Sequence, residues 1–510
     1  MPDNSINPVL GIDLGTTFSA IARWDGRGPQ IYRLRTGEIE LQSVVYFDPK
    51  TEEFLVGALA YNKGLIHPEN MAFGIKRFMD DAKHRIEIGG RTFTPIELSS
   101  KILASLYGNV VSMFPKNVFK GRGTVVTVPY YFMAHQLENT KDAAALANIN
   151  CRKILQEPIA ASLSYAWKCV QENPTREGEE TILVFDLGGG TFDLTLFKLI
   201  QSKDTLRFEV LGTGGDDRLG GMDFDECLVN LLLEKSGLTE AVLKLKGNKK
   251  KEIEYRKAYQ KVRKGAVDAK IQLSFTKETR ASIPFVIPPD KHIDVTVTRD
   301  EFEACIKSYT EKVRDIMERL WAVANVRASS VDRVVKVGGS SIIPCMHTLL
   351  CDAIGEGKIY ADNDPSLCVA EGAALYAAYL DDPEVFGREI EITTRNCHAL
   401  GVKLSGDRFA RIISANRKAP CKGEHVFTTD KDNVETLDIE VYQGASNDIN
   451  GNSRVGILSV PGLPKRPAGG LDILVTFTLN NEQKLVVKAN IYEADTNKEL
   501  VERLATFTAT

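Results

Sequence analysis

The chain has 510 residues, 43% hydrophobic and 26% charged, a composition typical of a globular protein of about two to four domains. Its net charge of −4 argues against a general nucleic-acid-binding protein, and no apolar run is long enough to cross a membrane. The nine cysteines are scattered and the seven histidines are unclustered, which argues against a zinc site. The N-terminal stretch is polar, which argues against a signal peptide, so we expect a cytoplasmic protein.

The first predicted strand pair encloses a turn of small and hydroxyl residues. The segment 10–23 reads LGIDLGTTFSAIAR, in which Asp13 ends one strand and Gly15, Thr16 and Thr17 precede the next. Backbone N–H groups in such a turn can bind an anion, and a carboxylate beside it suits Mg²⁺. The same pattern also occurs in hairpins that bind nothing.

Two charged residues follow in otherwise ordinary contexts. Lys76 lies within the apolar stretch 71–79, where a lysine usually extends to solvent and a phosphate ligand is the alternative. Glu157 precedes Pro158 at a helix start and is a weak candidate by itself. The surrounding pattern predicts a helix from a capping box at Thr94, a strand at 124–129 and a helix at 134–149.

A second hairpin, residues 182–199, repeats the pattern of the first. Its turn places three glycines and a threonine between two aspartates: Asp186, Gly188, Gly189, Gly190, Thr191 and Asp193. Two such hairpins facing each other would hold a phosphate chain from both sides, with Asp13 and Asp186 near one cation. The repetition favours this hypothesis over two unrelated turns.

Further glycine segments allow a backbone to approach a ligand closely. The segment 212–225 contains Gly220 and Gly221 and is either a plain loop or a ligand contact. A single long helix is predicted from Thr298 to about Asn325. A strand at 333–344 includes Gly338 and Gly339. The basic run 244–264 also contains glutamates, which favours an exposed helix face.

The last part of the chain changes character. Past a seam at 381–395, alternating strands at 437–442, 472–479 and 484–492 are divided by glycine, proline and asparagine turns, which predicts a small all-β sandwich. We expect no helical segment after it.

Six motifs occur in the order and spacing typical of the heat-shock 70-kDa (DnaK-like) chaperones, and the resemblance covers nearly the whole chain. The motifs are GIDLGTTFSA, VTVPYYF, ILQEPIAAS, VFDLGGGTFDLTLF, LGGMDFDE and VKVGGSSIIP. The resemblance implies an α/β fold: an actin-like ATPase domain of two lobes with ribonuclease-H-like cores at 1–385. It further implies a linker at 386–395 and a peptide-binding β-sandwich at 396–510.

The resemblance implies ATP hydrolysis to ADP with Mg²⁺, and it leaves K⁺ open as a further cation. Asp13 and Asp186 would hold the metal through water. Lys76 would reach the γ-phosphate and the attacking water, and Glu157 and Asp193 would complete the polar shell. The phosphate contacts would come from Gly15, Thr16, Thr17, Gly188, Gly189, Gly190 and Thr191.

The adenosine side departs from the family pattern. Ile271 and Ile342 stand where planar arginines usually flank adenine, and such stacking contributes about 0.5–2 kcal/mol. We therefore expect ATP binding that is weaker than the family norm but retained. The remaining positions carried over to this side are Gly220, Gly221, Lys270, Ser274, Gly338, Gly339 and Ser340.

The resemblance also implies extended polypeptides as substrates, bound by Phe409, Leu437 and Ile439. Asp430 replaces a small apolar residue near this groove, and without a helical lid we expect fast peptide exchange. Lys153 matches a basic site for J-domain proteins, and a nucleotide exchange factor is a second family partner. Neither a nucleic acid nor a membrane is expected.

Two departures make the coupling between domains an open question. The linker reads Ile390-Glu391-Ile392-Thr393 instead of a run of leucines, and Leu137 replaces an arginine. A nucleotide-controlled scaffold with one dedicated partner is therefore an alternative to a chaperone. A small-molecule kinase of the same superfamily is disfavoured by the predicted β-sandwich.

Overall fold

The computed structural model describes residues 9–81, 83–114, 123–246, 248–361, 364–480 and 483–508. Within these ranges the chain forms eleven α-helices: α1 Ala58–Ile66, α2 Pro95–Val111, α3 Ala134–Leu146, α4 Glu157–Glu172, α5 Gly221–Lys235, α6 Thr239–Lys246, α7 Glu252–Phe275, α8 Arg299–Cys305, α9 Lys307–Ala324, α10 Pro344–Ile354 and α11 Cys368–Asp381.

The strands of the first 300 residues build the sheets of two lobes. They are β1 Leu10–Asp13, β2 Phe18–Trp24, β3 Pro29–Ile31, β4 Leu41–Gln42, β5 Val44–Asp48, β6 Glu53–Val56, β7 Met71–Phe73, β8 Ile86–Ile88, β9 Arg91–Phe93, β10 Thr124–Val128, β11 Cys151–Gln156, β12 Gly178–Leu187, β13 Phe192–Gln201, β14 Thr205–Asp216, β15 Glu278–Ile287 and β16 Lys291–Thr298.

The remaining strands complete the second lobe and form the β-sandwich. They are β17 Arg333–Val337, β18 Glu389–Thr393, β19 Ala399–Leu404, β20 Arg408–Ile413, β21 Cys421–Thr428, β22 Thr436–Gly444, β23 Ser453–Pro461, β24 Leu471–Leu479, β25 Lys484–Glu493 and β26 Lys498–Thr508.

Two sheets share one plan. The first has the order β11-β10-β1-β2-β3, with β4 also on β2, and the second has the order β17-β12-β13-β14-β18. In each, an antiparallel hairpin (β1–β2 or β12–β13) is extended by a strand parallel to its first strand, β10 or β17. Each hairpin therefore points its turn in the same direction relative to its own sheet. This repeated α/β plan confirms the predicted fold class.

Helix α4 follows β11, and helix α11 precedes the seam. The two helices cross each other between the sheets in very close contact. A Cβ added to Gly372 of α11 would lie 1.7 Å from the carbonyl oxygen of Ala160 in α4. Both helices are almost wholly buried, and their small residues let the backbones touch. This crossing fixes the distance between the two sheets and hence between their hairpins.

The β-sandwich consists of two four-stranded antiparallel sheets, ordered β20-β19-β22-β23 and β21-β24-β25-β26. Alternate residues of these strands point inward and form one continuous apolar core. The predicted strands at 437–442, 472–479 and 484–492 all lie within observed strands.

Part of the seam, residues 381–395, forms regular secondary structure. Residues Glu389–Thr393 form β18, which pairs in parallel with β14 at the edge of the second lobe's sheet. Ile390 is buried there, and Arg207 of β14 forms an ion pair with Glu391. The segment expected to be a linker is thus an added strand of the second lobe's sheet in this structure.

Two predicted elements have clearly different bounds. The single helix expected from Thr298 to about Asn325 is interrupted at Ile306, where φ is −98° and ψ is 7°, so α8 and α9 are separate. The strand expected at 333–344 ends at Val337, because Gly338 turns the chain with a φ of 77°.

The segment 212–225 is mostly regular structure rather than a loop. Strand β14 continues to Asp216, and α5 begins at Gly221. Gly212 and Gly214 lie under α9, where an added Cβ would approach Leu320 and Ile316 to 3.1–3.2 Å. These glycines serve helix packing and not a ligand.

The helices of the described residues include none that is both long and apolar enough to span a bilayer.

Gly372→Ala should destabilise the lobes by about 1–3 kcal/mol, because the methyl group has no space beside the Ala160 carbonyl. This loss should exceed the gain of about 1 kcal/mol that alanine normally brings to a helix. Urea unfolding followed by tryptophan fluorescence measures it, since all three tryptophans lie before residue 385. Gly357→Ala, which meets no atom within 4 Å, is the control, and equal midpoints for both variants would contradict the packing argument.

Candidate active site

The two glycine hairpins meet tip to tip. A Cβ added to Gly189 would lie 1.9 Å from the Thr17 hydroxyl oxygen, and one added to Gly190 would lie 2.6 Å from Thr16. Any side chain at these two positions would push the hairpins apart. The facing arrangement predicted from the repeated sequence pattern is therefore present.

Two more glycine segments support the second hairpin from behind. The N–H groups of Gly221 and Met222 donate hydrogen bonds to the carbonyl oxygens of Gly188 and Gly189, at 2.9 and 2.8 Å. Gly338 also lies against this hairpin, because its added Cβ would be 2.5 Å from the Leu187 carbonyl oxygen. The hairpin turn is thus held in place on both sides by backbone contacts.

One buried ion pair lies below the hairpin tips. The Lys76 ammonium contacts a carboxylate oxygen of Glu157 at 2.6 Å, and both residues are 7% exposed. Lys76 is placed by a short 3-10 turn after Gly74, and Glu157 is the first residue of α4. The lysine therefore does not extend to solvent as lysines in apolar stretches usually do.

Three aspartates lie around this pair. Asp13 accepts a hydrogen bond from the Thr127 hydroxyl at 3.1 Å, and Asp193 accepts one from the backbone N–H of Tyr131 at 3.3 Å. Burial, with the nearby Glu157 charge, raises the pKa of both Asp13 and Asp193 to about 7. The same causes, with the charges of the other two aspartates added, raise the pKa of Asp186 well above its usual value.

The single ammonium does not balance these four acids. Burial by itself lowers the pKa of Lys76, but the carboxylates of Glu157 and Asp13 outweigh it and hold the pKa above its usual value. Lys76 therefore stays protonated. Four carboxylates and one ammonium in a buried space favour a bound cation.

The hairpins open into a cavity of about 620 Å³. The apolar residues Ile271, Ile342 and Phe275 also line it. The predicted residues that line the cavity are Asp13, Gly15, Thr16, Thr17, Lys76, Glu157, Asp186, Gly188, Gly189, Thr191, Lys270, Ile271, Ser274, Gly338, Gly339, Ser340 and Ile342.

Four predicted positions lie behind this lining. Gly190, Gly220 and Gly221 support the hairpin backbone, and Asp193 lies on β13 beneath it. Lys270 lines the cavity, but its ammonium is engaged with the Gly221 carbonyl at 2.9 Å and with the Asp225 carboxylate. Its amine holds the glycine loop in place.

An ion pair that the sequence did not predict spans the cleft between Arg77 and Asp223. Arg77 makes two hydrogen bonds to the Asp223 carboxylate, at 2.6 and 3.2 Å, and a third to the Gly190 carbonyl. It thereby joins the first lobe to α5 and the second hairpin. The signal was present: Arg77 directly follows Lys76, and Asp223 lies in the motif LGGMDFDE.

The donor set fits a metal–phosphate ligand. The hydroxyl oxygen of Thr17 is buried at the hairpin tip without a hydrogen-bond partner. Within the described ranges, no three His, Cys, Asp or Glu side chains are close enough to form a metal cage by themselves. Two separated aspartates suit Mg²⁺, which retains several of its waters and is completed by phosphate oxygens.

The three residues predicted to bind peptide do not share a surface. Ile439 is buried in the sandwich core and Leu437 packs against that core. Phe409 pairs with Lys403 on the opposite face of the same sheet, where it packs with Ala399 and Ile449. The expectation of one groove lined by all three is therefore corrected by the alternation of the strands.

Another aromatic residue, Phe427 of β21, was overlooked. It is half-buried against the same core as Leu437 but comes from the opposite sheet. The two side chains thus approach one core from both layers of the sandwich. The sequence signal for it was the apolar pair Val426 and Phe427 between polar residues.

The comparisons with known proteins agree with this architecture. The sequence model of the family described as "Hsp70 protein" matches residues 9–506. The chain is 33% identical to a chaperone protein DnaK of Deinococcus proteolyticus, over 96% of this chain and 77% of that protein. It is 32% identical to a mitochondrial heat shock 70 kDa protein of Pisum sativum (97% and 72%) and 33% identical to a chaperone protein dnaK of Thalassiosira pseudonana (97% and 82%).

Asp193→Asn should stabilise the nucleotide-free and metal-free protein in a pH-dependent way. Because the carboxyl pKa is about 7 when folded and near 3.8 when unfolded, ionisation weakens the folded state progressively between these values and constantly above them. The advantage of the variant should grow from about pH 4 to pH 7 and then level off, at no more than about 4 kcal/mol.

Thermal unfolding in EDTA from pH 5 to 8 measures this advantage. Asp217→Asn, at an exposed position, serves as the control. An advantage for Asp193→Asn that is constant or that shrinks as pH rises would show that burial of the carboxylate is not its source.

Proposed function

The chain belongs to the Hsp70 family, and we propose how its own residues carry out the ATP-dependent chaperone activity of that family. Nucleotide would bind in the cavity between the lobes, with its phosphates at the two hairpins and its base beside Ile271, Ile342 and Phe275. The observation that carries this proposal is the tip-to-tip meeting of two glycine hairpins above buried, excess carboxylates.

The phosphate end would hold ATP or ADP together with Mg²⁺. Asp13 and Asp186 would bind the metal's waters, since their carboxylates lie at the ends of β1 and β12 and are short of compensating charge. The metal would neutralise charge on the phosphate oxygens. The Thr17 hydroxyl and the backbone N–H groups of both turns would donate to those oxygens. We leave K⁺ as a further proposal, tested by replacing it with Na⁺.

Lys76 would stabilise the phosphoryl group during hydrolysis. Its ammonium stays charged, is fixed by Glu157 and faces the cavity. Phosphoryl transfer passes through a loose transition state, so catalysis depends on positioning and on charge that is already in place. Asp193 and Thr191 would orient the attacking water from the second hairpin.

The base end supports binding without stacking on a guanidinium. Ile271 and Ile342 line it, and Phe275 lies at its rim. These groups give an apolar contact to both faces of a planar base, and Ser274 would be the nearby hydroxyl. We propose ATP affinity below that of relatives with arginines at these positions, by about 0.5–2 kcal/mol.

Polypeptide binding would occur at the β-sandwich, residues 396–510, joined to the ATPase domain at 1–385 by the segment 386–395. We propose Phe427 and Leu437, with Ile439 beneath them, as its apolar contacts. Asp430 follows the strand of Phe427 and would favour clients with basic residues near the bound segment.

The two domains touch close to the proposed catalytic groups. His398 of the sandwich contacts the Tyr131 carbonyl at 2.9 Å through its Nε2 atom, and the Tyr131 N–H donates to Asp193. Arg395 donates to the carbonyl of Val210, and Thr213 donates to Asn416. We propose that peptide binding alters ATP hydrolysis through Tyr131, despite the altered linker and Leu137.

We also propose two protein partners other than the polypeptide substrate. Lys153 lies on β11 at the edge of the first sheet, and we propose this edge as a binding position for a J-domain protein. A nucleotide exchange factor is proposed from the family alone. A cytoplasmic location is proposed from the scattered cysteines of the sequence, while the pea relative is named mitochondrial.

Lys76→Ala should lower single-turnover ATP hydrolysis by about 100-fold or more, because the transition state loses a fixed positive charge. ATP affinity should change far less. Rapid-quench assays with labelled ATP, beside nucleotide titrations, separate the two effects. Lys50→Ala, an exposed lysine, is the control, and an equal loss of binding and hydrolysis in Lys76→Ala would contradict the assigned role.

His398→Ala should reduce the acceleration of ATP hydrolysis by an extended apolar peptide, because the contact from the sandwich to Tyr131 is lost. Peptide affinity without nucleotide should be retained. The assay compares turnover with and without peptide, with exposed His292→Ala as the control. If acceleration persists in His398→Ala, signalling through Tyr131 is rejected.

A further inference from the structure

Helix α10 carries a histidine and a cysteine one turn apart. His347 and Cys351 are separated by four residues, a spacing that makes side chains neighbours on a helix. The Nε2 atom of His347 lies 3.5 Å from the sulfur of Cys351, so the two groups share a proton. Both residues are half-buried and thus partly open to solvent. We propose that His347 and Cys351 bind a thiophilic divalent cation of the Zn²⁺ class through one nitrogen and one sulfur.

The distance between the two atoms suits zinc. Bonds of about 2.3 Å to sulfur and about 2.0–2.1 Å to nitrogen, set at the tetrahedral angle, place these atoms about 3.5 Å apart. The observed separation is 3.5 Å, so a cation can replace the shared proton with little movement of either side chain. The other ring nitrogen of His347, Nδ1, is buried and has no hydrogen-bond partner among the described residues. Nε2 is therefore the nitrogen that reaches a ligand.

The charges around the pair favour a bound cation over a reactive thiolate. Burial and the carboxylates of Glu356 and Asp352 raise the pKa of Cys351, and the Lys336 ammonium opposes them only in part. The carboxylates that disfavour a free thiolate attract a divalent cation. Cys351 also lies in the last turn of α10, where the helix dipole favours positive charge. When the cation binds, the thiol proton is released to solvent and the metal–sulfur bond forms with the thiolate.

The pair forms a smaller site than the four-ligand zinc sites that the sequence argues against. In the part of the chain that the structure describes, no third His, Cys, Asp or Glu side chain is close enough to join the two ligands. Water fills the remaining positions, so the cation can exchange. It would bridge one turn of α10, the helix that follows the cavity-lining turn Gly339–Ile342. Bound metal therefore stiffens this helix and is not needed for the fold.

A second cysteine of the same helix provides a matched control. Cys345 lies at the start of α10, and its sulfur is 4.0 Å from the hydroxyl oxygen of Thr310 rather than beside an imidazole. Cys345→Ser removes a thiol from α10 and leaves both proposed ligands in place. Cys351→Ser and His347→Ala each remove one ligand from the same helix.

The test titrates the full-length, reduced protein with Co²⁺ after metal has been removed with EDTA and the EDTA washed out. Co²⁺ accepts the same nitrogen and sulfur ligands as Zn²⁺, and a cobalt–thiolate bond gives a charge-transfer band in the near ultraviolet. Excess Mg²⁺ occupies sites built from oxygen ligands, which give no such band. The readout is thus independent of the nucleotide cavity and of the proposed function. We expect a band that saturates at one Co²⁺ per chain and disappears when Zn²⁺ displaces it.

Cys345→Ser should retain the band and Cys351→Ser should lose it. His347→Ala should weaken Co²⁺ binding by at least about tenfold, because one of the two protein ligands is gone. His347→Cys should restore the affinity and strengthen the band, since two sulfurs then bind the metal, which a merely structural histidine would not predict. Thermal unfolding verifies that each variant is folded. A titration without a band, a band that survives in Cys351→Ser, or unchanged affinity in His347→Ala would overturn the site.

Discussion

The structure depends on an excess of acidic side chains over basic ones around the buried Lys76. Asp186, Asp193 and Glu157 are buried and Asp13 is half-buried around the ammonium of Lys76, and such charges are costly to bury unless they are compensated. The rigid surroundings make the arrangement tolerable: two hairpins with touching turns, and a helix crossing so close that only glycine fits at Gly372. The cavity is therefore strongly disposed to accept a cation with its anionic partner.

Much of this site could be predicted because its pieces are local in sequence. Asp13 with its threonines and Asp186 with its glycines each lie on one short hairpin, and the repeated pattern indicated that the two turns face each other. Lys76 and Glu157 were weaker predictions, since the sequence does not show that the lysine is turned inward by the 3-10 turn after Gly74. The Arg77–Asp223 ion pair was missed for a related reason: both residues lie in or beside recognisable motifs, but the sequence does not show that they meet when the lobes are assembled.

The β-sandwich shows the opposite case, in which the strands were predicted well and their faces poorly. A shift of one residue moves a side chain from the core to the other surface, so Phe409 was placed with Leu437 although it lies on the far side of the sheet. The glycines of 212–225 were misjudged for another reason. Some of them make room for α9 rather than for a ligand, and sequence alone cannot separate a close helix from a close phosphate.

Strand β18 also has a meaning for the solution behaviour of the protein. It covers part of the long β14 strand, whose Leu206, Phe208 and Val210 are otherwise at a sheet border. An uncovered border of this kind presents free N–H and C=O groups to any extended chain, including another copy of the same protein. Strand β18 becomes the border strand itself, and its Ile390 N–H donates to the Tyr379 hydroxyl at 3.2 Å, so the new border is partly paired. A chaperone that handles extended chains must keep its own sheet border from becoming one of the places where they bind.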